Sequence, residues 1–188
     1  EIDTLIATLI AFKQRGHFAG FWSSIAEAAE LMIANKVAIQ SIWSPATVEL
    51  ERAGLSFRFA SPREGYRAWF GGLSLSRLAQ GRVLDAAYDY LNWWLDGWAG
   101  ATMARQGFYI SNPSRSQPNM SDAEWAYWYD GEPASAELPG PTRKHLVTAG
   151  EQRAGGSYVA RMSRIAVWDS VMDEHNYLVR RWNDFMKA

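Results

Sequence analysis

The chain of 188 residues carries 19 Lys and Arg against 20 Asp and Glu, and a net charge of -1 gives no electrostatic ground for nucleic acid or an anionic membrane as partner. It has no cysteine, which excludes disulfides, thiolate metal sites and cysteine nucleophiles, and no apolar run approaches the length of a membrane span. The length suits one domain or two small lobes, and ten tryptophans are its unusual feature.

Ile2, Leu5, Ile6, Leu9 and Ile10 recur at helical spacing, and Gly16 closes the run. The sequence opens inside this periodic stretch, without an initiator methionine or signal peptide, so we expect a processed chain or a fragment. HFAGFWSS predicts a short strand leading to Ser23 or Ser24 as the N-cap of a helix over about 25–34, with Glu27 completing a capping box. VAIQSIW, 37–43, alternates like a buried strand, and PATVELERAG predicts a helix that Gly54 ends. LSFRFA adds a third strand, and SPREGYRAWFGGLSLS a turn and a fourth. Helices alternating with strands predict an α/β fold.

Val83, Ala86, Ala87, Tyr90, Leu91 and Trp94 fall on one helical face, whose aromatics are expected in the core. A second helix over about 98–106 ends at Gly107, and FYISNPSRSQP reads as irregular. Ser121 caps a short aromatic helix, DAEWAYWYDG; residues 131–156 lack periodicity and read as loop. A helix over about 169–187 closes the chain, with Val171, His175, Leu178, Trp182 and Phe185 on its apolar face.

Catalysis needs a nucleophile, a base and a group to orient them, and the sequence offers no such set. His17, His145 and His175 are not spaced as metal ligands, so neither a metal nor a cofactor is expected. There is no G-x-S-x-G elbow, phosphate loop or dinucleotide fingerprint. Asp169, Asp173 and Glu174 sit where acids serve a helix dipole. The expectation is a protein that is not an enzyme.

GYRAWFGG asks a different question, because two bulky aromatics followed by Gly71 and Gly72 leave a gap beside the ring of Trp69. Taken with SIWSPA, SPREGYRAWFGGLSLS and NWWLDGWAGATMARQGFYISNP in this order, the stretch resembles the C-terminal part of periplasmic solute-binding proteins of the spermidine/putrescine ABC-transporter type. The resemblance is strongest from about 24 to 130 and in the closing helix. It implies a partial type II periplasmic-binding-protein fold: 1–65 as second-lobe α/β material, 66–112 as a first-lobe return strand and helices with the hinge crossing, and 113–188 returning to the second lobe. It also implies a cleft in which Trp43 and Trp69 flank the ligand, with Phe108 and Tyr109 nearby and Trp22 and Ser23 at the edge. An indole face suits a ligand with ammonium groups on an alkyl chain. The family's aspartate two residues after the second tryptophan is Gly71 here, and a family tyrosine is Phe108, so an ion pair and a hydroxyl donor are lost.

The resemblance therefore implies the ligand-binding component of an ABC importer, located in the periplasm and partnered by a membrane permease. Its ligand would be a small organic solute, polyamine-like or otherwise amine-containing, and the chain would need the missing N-terminal half or a second copy to cover it. The alternative is a carbohydrate- or aromatic-binding module not tied to transport, because indoles also stack on sugar faces.

Overall fold

The helical periodicity at the start of the chain becomes α1 (Ile2–Gln14), and Gly16, at φ 72°, turns the backbone out of it. The structure, a computed structural model, describes residues 1–188 except Ser44, Phe59, Ser61, Arg143, Lys144 and Ala154, and the backbone alone at Val48, Glu51 and His145. It divides into two compact units, one of residues 1–56 with 169–188 and one of residues 57–168.

In the first unit α1 packs beside α9 (His175–Lys187), burying Ile6 on one helix and Phe185 on the other. Near the starts of the helices Asp3 Oδ1 accepts from Tyr177 Oη at 2.6 Å and from Arg181 Nε at 2.8 Å. Near their ends Lys13 Nζ donates to the Phe185 and Met186 carbonyls at 3.1 and 2.8 Å, satisfying acceptors that a last helical turn leaves open. α2 (Ile25–Ile33) lies against α3 (Ala46–Arg52) through the small buried residues Ala28, Ala29 and Ala46 together with Leu50. Ser24 caps α2 by accepting from Glu27 N, while the Glu27 carboxylate reaches one residue further back, to Ser23.

The second unit holds β1 (Tyr66–Ala68), α4 (Gly81–Leu95), α5 (Trp98–Ala104), the single turn α6 (Pro113–Ser116) with a 3₁₀ turn after it, and α7 (Asp122–Trp125), which continues as a π-turn. β2 (Leu138–Pro139) pairs antiparallel with β3 (His145–Val147), and after α8 (Tyr158–Ser163) the strand β4 (Ile165–Trp168) pairs parallel with β1. The core gathers Ala104, Tyr127, Trp128, Tyr129, Ala134, Leu138 and Val147. Gly65 has no side chain to hold off Arg164, whose carbonyl accepts from Tyr66 N at 2.8 Å and starts the parallel pair.

Tyr129 stacks on Trp125 at 4.1 Å, its hydroxyl is buried and makes no well-formed hydrogen bond among the described residues, and burial pushes its pKa up to about 12 against the opposing effect of the nearby Ser116 hydroxyl. Its neighbour Tyr127 donates to Glu151 Oε1 at 2.9 Å. Tyr129→Phe is therefore expected to leave stability unchanged or raise it by up to about 1 kcal/mol, whereas Tyr127→Phe should lower it by about 1 kcal/mol. Urea denaturation of both variants checks the order, and the reverse order would contradict it.

Among the described residues helix accounts for 47% and strand for 6%, a mixed helix and strand class in which sheet is minor. The strands expected at HFAGFWSS, VAIQSIW and LSLS are not formed, nor is one at the described residues of LSFRFA, whose Phe59 lies outside them. The physical reason is that alternation marks a segment able to pair but supplies no neighbouring edge, and an extended run without one turns its amides to water. The expected core face of α4 is also corrected: no residue of that helix is fully buried, and Val83 is 68% exposed. Tyr90 stacks on Trp93 there instead, with Trp94 edge-on to both and Trp98 tilted against Trp93. Residues 131–156 are not simply loop, since they carry β2, β3 and core residues. The closing helix begins at His175, leaving Val171 outside it and exposed.

Candidate functional site

The residues expected to meet a ligand fall into two groups, one in each unit. In the first, the Trp22 and Trp43 rings meet edge to face at 5.5 Å, and Trp43 is 39% exposed. Trp22 Nε1 donates to the Ser41 carbonyl at 2.9 Å, which fixes the ring ahead of α2. The Ser23 hydroxyl is committed, because both it and Ser23 N donate to Glu27 Oε2 at 2.9 and 2.7 Å. Those bonds, led by the one from the Ser23 amide, hold the Glu27 carboxyl below its ordinary pKa and keep it ionised at neutral pH. Beside this segment Phe21, Ala26, Glu27, Glu30 and Leu31 line a shallow open groove of about 440 Å³.

In the second unit Trp69 follows directly on β1, so the short parallel pair fixes where its backbone leaves the sheet. The ring is 45% exposed and meets Phe108 edge to face at 6.2 Å. A Cβ placed on Gly71 would come within 3.7 Å of Trp69 Cζ3, while one on Gly72 would meet nothing. The Gly71 backbone therefore runs beside the indole without a side chain between them. Phe70 turns the other way, 74% exposed and tilted against Trp168.

Phe108 and Tyr109 part company. Phe108 contacts Trp69, whereas Tyr109 packs on the core with Tyr158 at 4.8 Å and Tyr129 at 5.6 Å. The Tyr109 hydroxyl accepts from Arg153 at 2.8 Å, and the guanidinium lies 5.0 Å from both the Tyr109 and Trp128 ring centres. Sequence reasoning missed Arg153 because it sits in a segment without periodicity, and a lone arginine beside glycines carries no local signal.

The surface available in the second unit is a half-exposed indole set perpendicular to a phenyl ring beside two glycines, and aromatic faces of this kind attract alkyl and cationic groups. Among the described residues no three His, Cys, Asp or Glu side chains gather as metal ligands, and no helix is long and apolar enough to cross a membrane. No family model, curated protein or solved structure matches the chain.

Proposed function

We propose that the chain is the solute-capturing component of an ABC importer, acting in the periplasm on a small organic solute that carries an amine or quaternary ammonium group, and handing it unaltered to a permease. The observation that carries this reading is Trp69, 45% exposed and set edge to face with Phe108. An indole face attracts a cation by about 0.5–2 kcal/mol and covers alkyl carbon with the same surface. The Trp22–Trp43 pair offers a second such surface in the first unit. The finer fold reading is a partial type II binding protein. It is supported by a chain that passes from one compact unit to the other at residues 56–57 and comes back at 168–169. The apolar rings left exposed along α4 favour a partner that covers them, the N-terminal half or a second copy.

Calorimetry against putrescine, spermidine, choline, arginine and glucose tests the reading. Binding of an amine is expected; binding of glucose alone would replace it with the carbohydrate module, which the missing carboxylate at Gly71 favours. Trp69→Ala should weaken amine binding by about 1–2 kcal/mol while the melting temperature stays within a few degrees, since an exposed ring anchors ligand more than fold. Unchanged affinity in that variant sinks the assignment of Trp69.

A further inference from the structure

We propose that Arg153 is the positioning residue of the aromatic site, gripping the residues on both sides of Phe108 and thereby setting the angle at which Phe108 meets Trp69. It rests on the reading of Trp69 and Phe108 as the rings that touch solute. Arg153 donates from one terminal nitrogen to the Gly107 carbonyl at 2.9 Å and from the other to the Tyr109 hydroxyl at 2.8 Å, with a longer bond to the Trp128 carbonyl at 3.4 Å. The residue between these two anchors is Phe108, which has no hydrogen-bonding side chain of its own and whose ring faces Trp69.

The chemistry of the anchor is unusual for structural glue. Among the described residues Arg153 has no carboxylate partner; its acceptors are two carbonyls and a phenol, and its Cζ lies 5.0 Å from the centres of both the Tyr109 and Trp128 rings. A cation in such surroundings forgoes the Coulomb gain of an ion pair. What the planar fork supplies is geometry, with donors fixed in one plane reaching the Gly107 carbonyl and the Tyr109 hydroxyl at once. Burial pushes its pKa down to about 10, so the guanidinium remains charged and its donors remain in place at neutral pH. Lysine cannot do the same, because one ammonium on a flexible stem lacks the rigid pair of donors that reaches both anchors at once.

The test follows the Trp69 indole N–H by NMR in protein labelled at tryptophan nitrogen, with the signal assigned by its loss in Trp69→Phe. Phe108→Leu removes the ring current on that signal and defines its displaced position. Arg153→Met, which keeps the stem and removes the donors, is expected to move the Trp69 signal toward that position, while the Trp22 and Trp43 signals stay put. In the Phe108→Leu background the same substitution should move it no further, and Arg153→Lys should lie between wild type and Arg153→Met. An unmoved Trp69 signal, or an equal movement with Phe108 already removed, overturns the proposal. Should Arg153→Met lose the dispersion of all its signals, Arg153→Lys decides by the same criteria. Choline titrated into the same samples supplies the functional arm: Arg153→Met and Phe108→Leu should each weaken its binding roughly fivefold, and the double variant should weaken it no more than either. Full additivity overturns the proposal. If the wild-type protein fails to bind choline, the functional reading loses its amine ligand, and the ligand-free indole signals still decide the role of Arg153.

Discussion

Replacing Gly97 with alanine is expected to cost on the order of 3–5 kcal/mol of stability, the largest loss from any single methyl group in the second unit. Gly97 forms the corner between α4 and α5, at φ 80° and ψ -33°, outside the basins that L-residues prefer. Its carbonyl accepts from Ala101 N at 2.8 Å to start α5, so the corner cannot rotate to a relaxed conformation without giving up that helix turn. The second term is steric. A Cβ there would lie 1.8 Å from the Arg115 carbonyl oxygen and 2.5 Å from its carbon, and backbone cannot swing aside as a side-chain tip can. Urea denaturation, with Gly72→Ala as the control where a Cβ meets open space, measures the difference. A loss within about 0.5 kcal/mol of the control would mean that α6 moves freely against the corner.

Arg105→Met is expected to cost about 2–3 kcal/mol and to change how stability depends on pH. Glu124 is 5% exposed, and its carboxylate accepts from Arg105 Nε at 2.6 Å and Nη2 at 3.1 Å as well as from Ser121 N at 2.8 Å. Burial is the largest influence on this carboxyl and pushes its pKa up, yet the Arg105 guanidinium and the Ser121 donors together bring it below the ordinary value of 4.5. A lowered folded-state pKa means that the stabilisation is fully present above 4.5 and is lost as pH falls through the folded value. With methionine at 105 the burial effect meets less opposition and the folded pKa should rise above 4.5, so stability in that region falls as pH rises. Melting temperatures of both proteins between pH 3 and pH 7 should therefore slope in opposite directions near the glutamate range. Parallel curves would show that the Ser121 cap alone keeps Glu124 ionised.

The helices with their own punctuation were legible in the sequence. Ser24 with Glu27, Ser121 ahead of the short aromatic helix, and Gly16 after an apolar stripe each specify an end through contacts only a few residues apart. β4 was not legible, because IAVW becomes a strand only when Tyr66–Ala68 lies beside it, far away in the chain. The site divides along the same line. The exposure of Trp69 followed from the two glycines after it, a local fact. That Phe108 would meet it, and that Tyr109 would be drawn into the core by Arg153, depends on contacts tens of residues apart that no spacing rule encodes.

The parallel pairing of Tyr66 with Ile165 also fixes a schedule. No tight turn can join parallel neighbours, and here nearly the whole second unit must serve as the connection, so closing the pair carries the entropy of a very long loop until the intervening helices and aromatic core have condensed. The segment that carries Trp69 is then among the last to settle as the protein folds and among the first to loosen as it unfolds. The ring proposed to meet a ligand thus stands where the two strands close, so that a molecule bound on Trp69 would tighten the strand ends behind it as well.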